Sequence, residues 1–186
     1  EIRLELASCQ LETRRYREAL ATLVNCSDLP EYEVLRAECL YALGDLSAAK
    51  ATLAHALERQ SDNLAGLNLQ GSMLLEGGEA GEAIKPLRIA VKTHPKDYAS
   101  HFKLSQAYGQ IGEQKLAEAE LQTAQEIRLL LEEFSQLHAE AWERPRDVEV
   151  RLRLAELANQ LDRPEMAEVW LRSASALRPV PSAAAE

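Results

Sequence analysis

The chain has 186 residues, of which 46% are hydrophobic and 27% are charged, a balance typical of a folded, soluble protein. Thirty acidic and 21 basic side chains give a formal net charge of −9, which leaves no surplus of cations for general nucleic-acid binding. The longest apolar run, from Cys39 to Leu43, is far shorter than the ~20 residues that a membrane span needs. We therefore expect neither a nucleic-acid partner nor a membrane span.

The three cysteines, Cys9, Cys26 and Cys39, lack the spacing of a metal site or a disulfide framework. Free cysteines are commonly buried, so we expect these three to be small residues of the core. We predict no metal and no cofactor. The absence of paired cysteines favours a reducing compartment such as the cytoplasm.

Small residues recur at a regular spacing, which indicates an internal repeat. A column of alanines is spaced by 30, 34, 34 and 50 residues: Ala19, Ala49, Ala83, Ala117 and Ala167. A leucine follows each of them by four residues: Leu23, Leu53, Leu87, Leu121 and Leu171. Small residues also lie seven places after and twelve places before each alanine, the latter being Ala7, Ala37, Gly71, Ser105 and Ala155. These columns predict five copies of one structural unit, with the leucines in the core.

Each unit has the features of two helices joined by a tight turn. Apolar residues follow a helical period up to Gly77-Gly78, and glycine there can adopt the left-handed conformation that ends a helix. The same junction recurs at Gly44-Asp45, Gly112-Glu113 and Asp162-Arg163-Pro164. The second helices are rich in Ala, Leu, Glu, Gln and Arg, which are good helix formers. We therefore predict an all-α fold of antiparallel helix pairs.

This frame predicts a single domain over 1–186, with repeats at approximately 1–29, 30–63, 64–97, 98–131 and 148–181. An insertion at 132–147 continues the helical stripe of the fourth unit: Ile127, Leu130, Leu131, Phe134, Leu137, His138, Ala141 and Trp142. We expect the second helix of that unit to run on by about three to four turns. It would either brace the stack or offer a site to a partner helix.

A 34-residue helix pair with small residues at the eighth, twentieth and twenty-seventh places resembles the tetratricopeptide repeat. The two strongest stretches are Ala37, Gly44-Asp45, Ala49, Leu53 and Ala56, and then Gly71, Gly78, Ala83, Leu87, Ala90 and Pro95. The aromatic residue usual at the fourth place is replaced by Glu33, Leu67, His101 and Arg151. The resemblance implies a right-handed superhelical solenoid whose first helices line a concave groove for a peptide or partner protein.

The resemblance also implies which side chains face that groove. They are Val34, Glu38, Tyr41, Asn68, Ser72, Leu75, Phe102, Gln106, Gln110, Leu152, Glu156 and Asn159. Asparagine and glutamine can hydrogen-bond an extended peptide backbone, while Tyr41 and Phe102 can anchor an apolar side chain. Glu38, Glu76 and Glu156 favour a neutral or basic ligand over an acidic tail.

No motif of a catalytic site is present. The segment Gly77–Gly81 lacks the GK[ST] ending of a phosphate-binding loop, and neither GxSxG nor HExxH occurs. His101 stands at a packing position, so we expect a core residue rather than a general base. We predict a protein-interaction scaffold that is not an enzyme.

Two alternatives stay open. The chain begins at Glu1 rather than Met, and such repeats often precede an enzymatic domain, so it could be a regulatory or substrate-recruiting segment of a larger enzyme. The first repeat is truncated, so the chain could also be a structural element that self-associates through that repeat.

Overall fold

The computed structural model describes residues 2–24, 26 and 29–177, and these residues form ten α-helices and no strand. The helices are α1 (Ile2–Glu12), α2 (Tyr16–Leu23), α3 (Pro30–Ala42), α4 (Leu46–Arg59), α5 (Leu64–Glu76), α6 (Ala80–Thr93), α7 (Tyr98–Gln110), α8 (Gln114–Glu143), α9 (Val148–Gln160) and α10 (Pro164–Leu177). The prediction of an all-α fold built from helix pairs is confirmed.

The chain divides into two compact units, Glu1–Leu121 and Gln122–Glu186. In the first unit α1, α3, α5 and α7 contact one another in succession and form one layer. The second helices α2, α4 and α6 each pack against the first helices on both sides. In the second unit α9 packs against α10. The single-domain prediction and its repeat ranges, of which the first and last extend past the described residues, stay predictions.

The columns of small residues lie where helices approach one another closely. Ala37, Ala49, Ala83 and Gly71 are all buried. A Cβ atom at Gly71 would lie only 2.5 Å from Cδ2 of Leu87, so α5 and α6 pack at a distance that a larger residue would prevent. Small residues at these places therefore set the spacing of the helix pairs.

The leucine column is buried in the first three repeats, but the prediction is wrong for the last two. Leu121 is 37% exposed and Leu171 is 45% exposed. In both helices the preceding residue faces inward instead. Glu120 pairs with the buried His101, and Trp170 packs against the core of the second unit. A small rotation of a helix about its axis is enough to exchange adjacent positions between core and solvent.

The turns between paired helices follow the predicted junctions. Gly44, Gly78 and Gly112 adopt φ values of +84°, +76° and +83°, and Asp162 adopts +57° at the equivalent place. Glycine reaches this left-handed region without the steric penalty that a Cβ imposes, which explains why it recurs at the ends of α3, α5 and α7.

The predicted extension of α8 is confirmed, because the helix runs over 30 residues from Gln114 to Glu143. Phe134, Leu137 and Ala141 pack with Trp170 in the core of the second unit. Trp142, one residue further on, is exposed to solvent. The stripe of α8 is therefore partly core and partly surface.

The cysteines do not all behave as predicted. Cys39 is buried, and its burial raises the pKa of its thiol to about 11. Cys26 is half-buried and Cys9 is exposed, so the expectation of three core cysteines is wrong for these two. Cys9 lies on the outward side of α1, whereas Ala7 and Gln10 lie on its buried side.

The polar residues at the fourth place of the last two repeats are buried and hydrogen-bonded. His101 Nδ1 lies 2.6 Å from Oε2 of Glu120, and Nε2 lies 3.2 Å from the carbonyl oxygen of Pro95. Arg151 donates in the same way to the carbonyl oxygen of Pro145, at 2.6 Å. These bonds satisfy the buried polar groups, and they confirm His101 as a packing residue.

Candidate functional site

The candidate site is the outward side of the first-helix layer in the first unit, which we call the groove face. It consists of Glu38 and Tyr41 on α3, Asn68, Ser72, Leu75 and Glu76 on α5, and Phe102, Lys103, Gln106 and Gln110 on α7. Because α3 contacts α5 and α5 contacts α7, these residues follow one continuous surface.

Two depressions cross the groove face. One of about 510 Å³ lies where the ends of α3 and α5 meet the start of α4, and it is lined by Tyr41, Ala42, Leu46, Lys50, Met73, Glu76 and Gly77. The other, of about 420 Å³, lies between α5 and α7, lined by Leu75, Glu76, Gln106, Gly109 and Gln110. Glu76 lines both depressions and separates them. The structure thus brings together three residues that the sequence singles out: Leu75, Gln106 and Gln110.

The predicted apolar positions differ in accessibility. Val34 is only 2% exposed and packs with Ala37 and Leu53, so its side chain belongs to the core and offers no surface to a ligand. Phe102 is 36% exposed and stacks on Tyr98 with ring centroids 5.8 Å apart. Phe102 therefore presents an aromatic surface already held in place by its neighbour.

Asn68 is engaged within the protein. Its Nδ2 donates to Oδ2 of Asp97 at 3.0 Å, and its Oδ1 accepts from Oγ of Ser100 at 3.1 Å. Asp97 also accepts from the hydroxyl and the backbone N–H of Ser100, at 2.6 and 2.8 Å, and thereby caps α7. Asn68 thus ties α5 to the start of α7, and its amide is not free for a peptide backbone. An aspartate immediately before a helix is an N-cap signal that the sequence does contain.

Lys103 is the charged centre of the groove face. Its Nζ donates to the carbonyl oxygen of Asn68 at 3.2 Å. Burial lowers the pKa of Lys103, while the carboxylates of Asp97, Glu38 and Glu76 act in the opposite direction. The carboxylates of Glu38 on α3, Glu76 on α5 and Asp97 before α7 therefore all act on the same ammonium group.

Tyr41 and Glu76 join α3 to α5 across the groove face. The hydroxyl of Tyr41 donates a hydrogen bond to Oε2 of Glu76. Burial, together with that hydrogen bond and the negative charge of Glu76, raises the pKa of Tyr41 to about 12. The tyrosine stays protonated at neutral pH, so the bond persists as a neutral donor to a charged acceptor.

Glu38 is half-buried, and none of the described residues hydrogen-bonds its carboxylate. Burial raises its pKa, and the positive charge of Lys103 offsets only part of that rise. A carboxylate taken from water without a hydrogen-bond donor lowers the stability of the fold.

We expect Glu38→Gln to raise the free energy of unfolding at pH 7 by up to about 0.5 kcal/mol, since Glu38 is still partly solvated. A raised pKa means that the folded protein holds this proton more strongly than the unfolded chain, so the stabilisation from protonated Glu38 is lost as pH rises through that pKa. The difference in the free energy of unfolding between Glu38→Gln and wild type should therefore vanish below about pH 4, as urea titrations at several pH values would show. The control is Glu118→Gln, an exposed position on α8. A loss of stability in Glu38→Gln would contradict the prediction.

The predicted site residues of the second unit lie on α9. Leu152 is half-buried, while Glu156 and Asn159 are exposed. Arg153 donates to Glu133 at 2.8 Å and to Glu156 at 2.7 Å, so the carboxylate of Glu156 is already paired.

The second unit also contains a pocket that the sequence does not reveal. It has a volume of about 730 Å³ and is lined by Phe134, His138, Asp162, Arg163, Pro164, Glu165, Met166, Val169 and Trp170. The pocket forms between the extension of α8 and the start of α10, and such a pairing of distant segments has no local sequence signal.

Among the residues that the structure describes, no group of three His, Cys, Asp or Glu side chains is placed to hold a metal ion. No helix in the same ranges has the length and hydrophobicity that crossing a bilayer requires.

Comparison with known proteins identifies the repeat. Residues 34–63, which span most of α3 and all of α4, match the family model described as tetratricopeptide repeat. The fold is similar to that of MamA from Desulfovibrio magneticus RS-1, with a TM-score of 0.58 and 17% identity over 95% of this chain and 93% of that one. Residues 34–63 are therefore a tetratricopeptide repeat.

Further matches agree with this assignment. The structure of PilW, a widely conserved type IV pilus biogenesis factor, gives a TM-score of 0.60 at 18% identity and covers 95% of this chain and 76% of that one. The chain is also 35% identical over 86 residues to cellulose synthase operon protein C of Escherichia coli strain K12. That match takes in 46% of this chain and 7% of the relative. The putative cellulose synthase operon protein C of Escherichia coli O157:H7 is equally similar, with 8% of its length covered.

The chain thus spans less than a tenth of the length of these two relatives. Tetratricopeptide repeats stack into extended concave surfaces that bind other proteins, so the family supports a general scaffold role.

Proposed function

We propose that the groove face binds an extended segment of a peptide or partner protein across α3, α5 and α7. The observation that carries this proposal is the pair of depressions separated by Glu76. A segment that crosses the three helices meets one depression after the other, so it can place a side chain in each.

The chemistry of the second depression suits a peptide. Gln106 and Gln110 are exposed, and no described residue hydrogen-bonds their amides. Each amide can both donate to and accept from a peptide backbone. Leu75 and Gly109 line the same depression, and they supply an apolar surface and room for a backbone to approach.

We expect Gln106→Ala/Gln110→Ala to weaken peptide binding about thirtyfold, since two lost hydrogen bonds of roughly 1 kcal/mol each together cost about 2 kcal/mol. The probe is a phage-displayed library of random nonapeptides, selected on the wild-type protein. Affinities of enriched peptides are then measured for wild type and variant by fluorescence anisotropy.

The matched control is Gln114→Ala/Gln122→Ala, which removes two exposed glutamines of α8 that bond only to glutamates of the same helix. Its affinity should equal that of wild type. A library that yields no enriched peptide, or an equal loss in control and groove variants, would contradict the proposal.

The remaining expectations about partners, activity and cellular localisation stay predictions. They are that the chain binds no nucleic acid, takes no cofactor, is not an enzyme and lies in the cytoplasm. Self-association through the first repeat and a role as a regulatory segment of a larger enzyme likewise stay predictions.

A further inference from the structure

We infer that the groove face selects a segment with a lysine or arginine side chain, and that this side chain is bound by the carboxylates of Glu38 and Glu76. The inference rests on the proposed function and names the class of ligand for the same site.

The first argument is the charge balance of the groove face. The carboxylates of Glu38, Glu76 and Asp97 all interact with the single ammonium group of Lys103. Oδ2 of Asp97 accepts three hydrogen bonds, one from Asn68 and two from Ser100. Lys50, which lines the first depression beside Glu76, has its Nζ 4.0 Å from Oε1 of Glu79. Glu38 and Glu76 therefore have Lys103 as their shared cation, so the surface is complementary to a further cation.

The second argument is the state of Glu38. Its carboxylate is half-buried, and no described residue hydrogen-bonds it. Lys103 donates instead to the backbone carbonyl of Asn68. A guanidinium or ammonium group from a ligand would supply the missing donors, and charged hydrogen bonds of this kind are about twice as strong as neutral ones.

The third argument is the position of Glu76. Its side chain lines both depressions, so a segment that crosses the groove face passes beside it. The hydroxyl of Tyr41 donates to Oε2 and orients the carboxylate, and no described residue hydrogen-bonds Oε1, which stays open to a ligand. A carboxylate accepts several hydrogen bonds at once, so Tyr41 and a ligand cation can bind it together.

Lys103 is the natural candidate for the opposite preference, in which the groove would take an acidic ligand. The three surrounding carboxylates oppose this, because an incoming carboxylate would meet Glu38 and Glu76 along with Lys103. Lys103 is also half-buried and already donates to Asn68.

The test compares two pools of nonapeptides that are random in Ala, Ser, Leu and Gln except at the central position. One pool has arginine there, and the other has citrulline, which has nearly the same shape without the charge. A third pool with glutamate tests the acidic alternative. Retention on immobilised protein is quantified by mass spectrometry at low and moderate salt. We expect the arginine pool to be retained about tenfold better than the citrulline pool, with a smaller ratio at higher salt.

The variant Glu38→Gln/Glu76→Gln should abolish this preference, so that it retains the arginine and citrulline pools equally. The control Glu118→Gln/Glu126→Gln removes the same charge from exposed positions on α8 and should keep the preference. The folded state of each variant is checked by circular dichroism.

Each other outcome overturns a defined statement. Equal retention of the arginine and citrulline pools, with loss of both in Gln106→Ala/Gln110→Ala, would overturn the cation preference and leave the groove as a peptide site. Preferential retention of the glutamate pool would overturn it in favour of Lys103. No retention of any pool would overturn the peptide groove itself. If Glu38→Gln/Glu76→Gln and Glu118→Gln/Glu126→Gln lost the preference for arginine equally, the effect would be assigned to net charge rather than to Glu38 and Glu76.

Discussion

Leu87→Ala is expected to lower the free energy of unfolding by about 2–5 kcal/mol, the range for a fully buried leucine in a core that cannot collapse around the cavity. Leu87 is completely buried on α6, in a cluster with Ala83, Leu104 and Ala107. Because α6 packs on both α5 and α7, the cavity would open at the junction of two consecutive repeats.

Urea unfolding followed by circular dichroism measures this loss. The control is Gln110→Ala on the exposed side of α7, for which we expect a change within about 0.5 kcal/mol. If the two substitutions had similar effects, the division of the repeat into core and groove positions would be wrong.

The contact between Leu87 and Gly71 offers an internal check on the same prediction. An added methyl group at Gly71 would clash with Leu87, since its Cβ would lie 2.7 Å from the Leu87 Cγ. Gly71→Ala should therefore destabilise the wild type more than it destabilises Leu87→Ala, in which the clashing atoms are gone. Additive effects in this double-mutant cycle would contradict the packing seen between α5 and α6.

Asp97→Ala is expected to lower the free energy of unfolding by about 2–3 kcal/mol. The substitution removes the N-cap of α7, which is typically worth about 1 kcal/mol. It also leaves the half-buried amide of Asn68 without its acceptor, at a further cost of about 1–2 kcal/mol.

The effect of Asp97 should depend on pH in a defined direction. Burial raises the pKa of Asp97, but the hydrogen bonds from Ser100 and Asn68 and the charge of Lys103 outweigh it and hold that pKa below its usual value. A depressed pKa in the folded state gives stability that is present above the unfolded pKa and lost as pH falls through the folded one. The difference in the free energy of unfolding between wild type and Asp97→Ala should therefore become smaller below about pH 4.

Asp45→Ala is the matched control, because Asp45 caps α4 through Ala48 alone and is exposed to solvent. We expect a loss of about 1 kcal/mol there, measured by the same urea titrations. An equal loss at both positions would show that the bonds from Asn68 to Asp97 contribute nothing beyond capping.

The bonds of Asn68 to Asp97 and Ser100 make Asn68 unsuitable for a test of the groove. A substitution of Asn68 would disturb the start of α7 as well as the surface, so a loss of binding could not be assigned to contact with a ligand. Gln106 and Gln110 bond to no described residue, and their substitution changes the surface alone.

Much of the fold follows from the sequence by itself. The spacing of small residues and leucines determines five helix pairs, and the left-handed glycines determine where α3, α5 and α7 end. These features depend on local backbone rules and on a helical period, both of which a single sequence displays. The continuation of α8 through the insertion follows from the same rules, since no breaker interrupts its stripe before Pro145.

The tertiary structure alone decided which side chains of the groove are available. Val34 is in the core, Asn68 is bound by Asp97 and Ser100, and no described residue donates a hydrogen bond to Glu38, although all three stand at groove positions of the repeat. The tertiary structure also decided that Trp170, and not Leu171, is the residue of α10 that faces the core. A helical period predicts a face to within about one residue, whereas burial and pairing depend on the rotation of each helix and on partners some thirty residues away. The sequence therefore determined the scaffold, and contacts between helices determined the site.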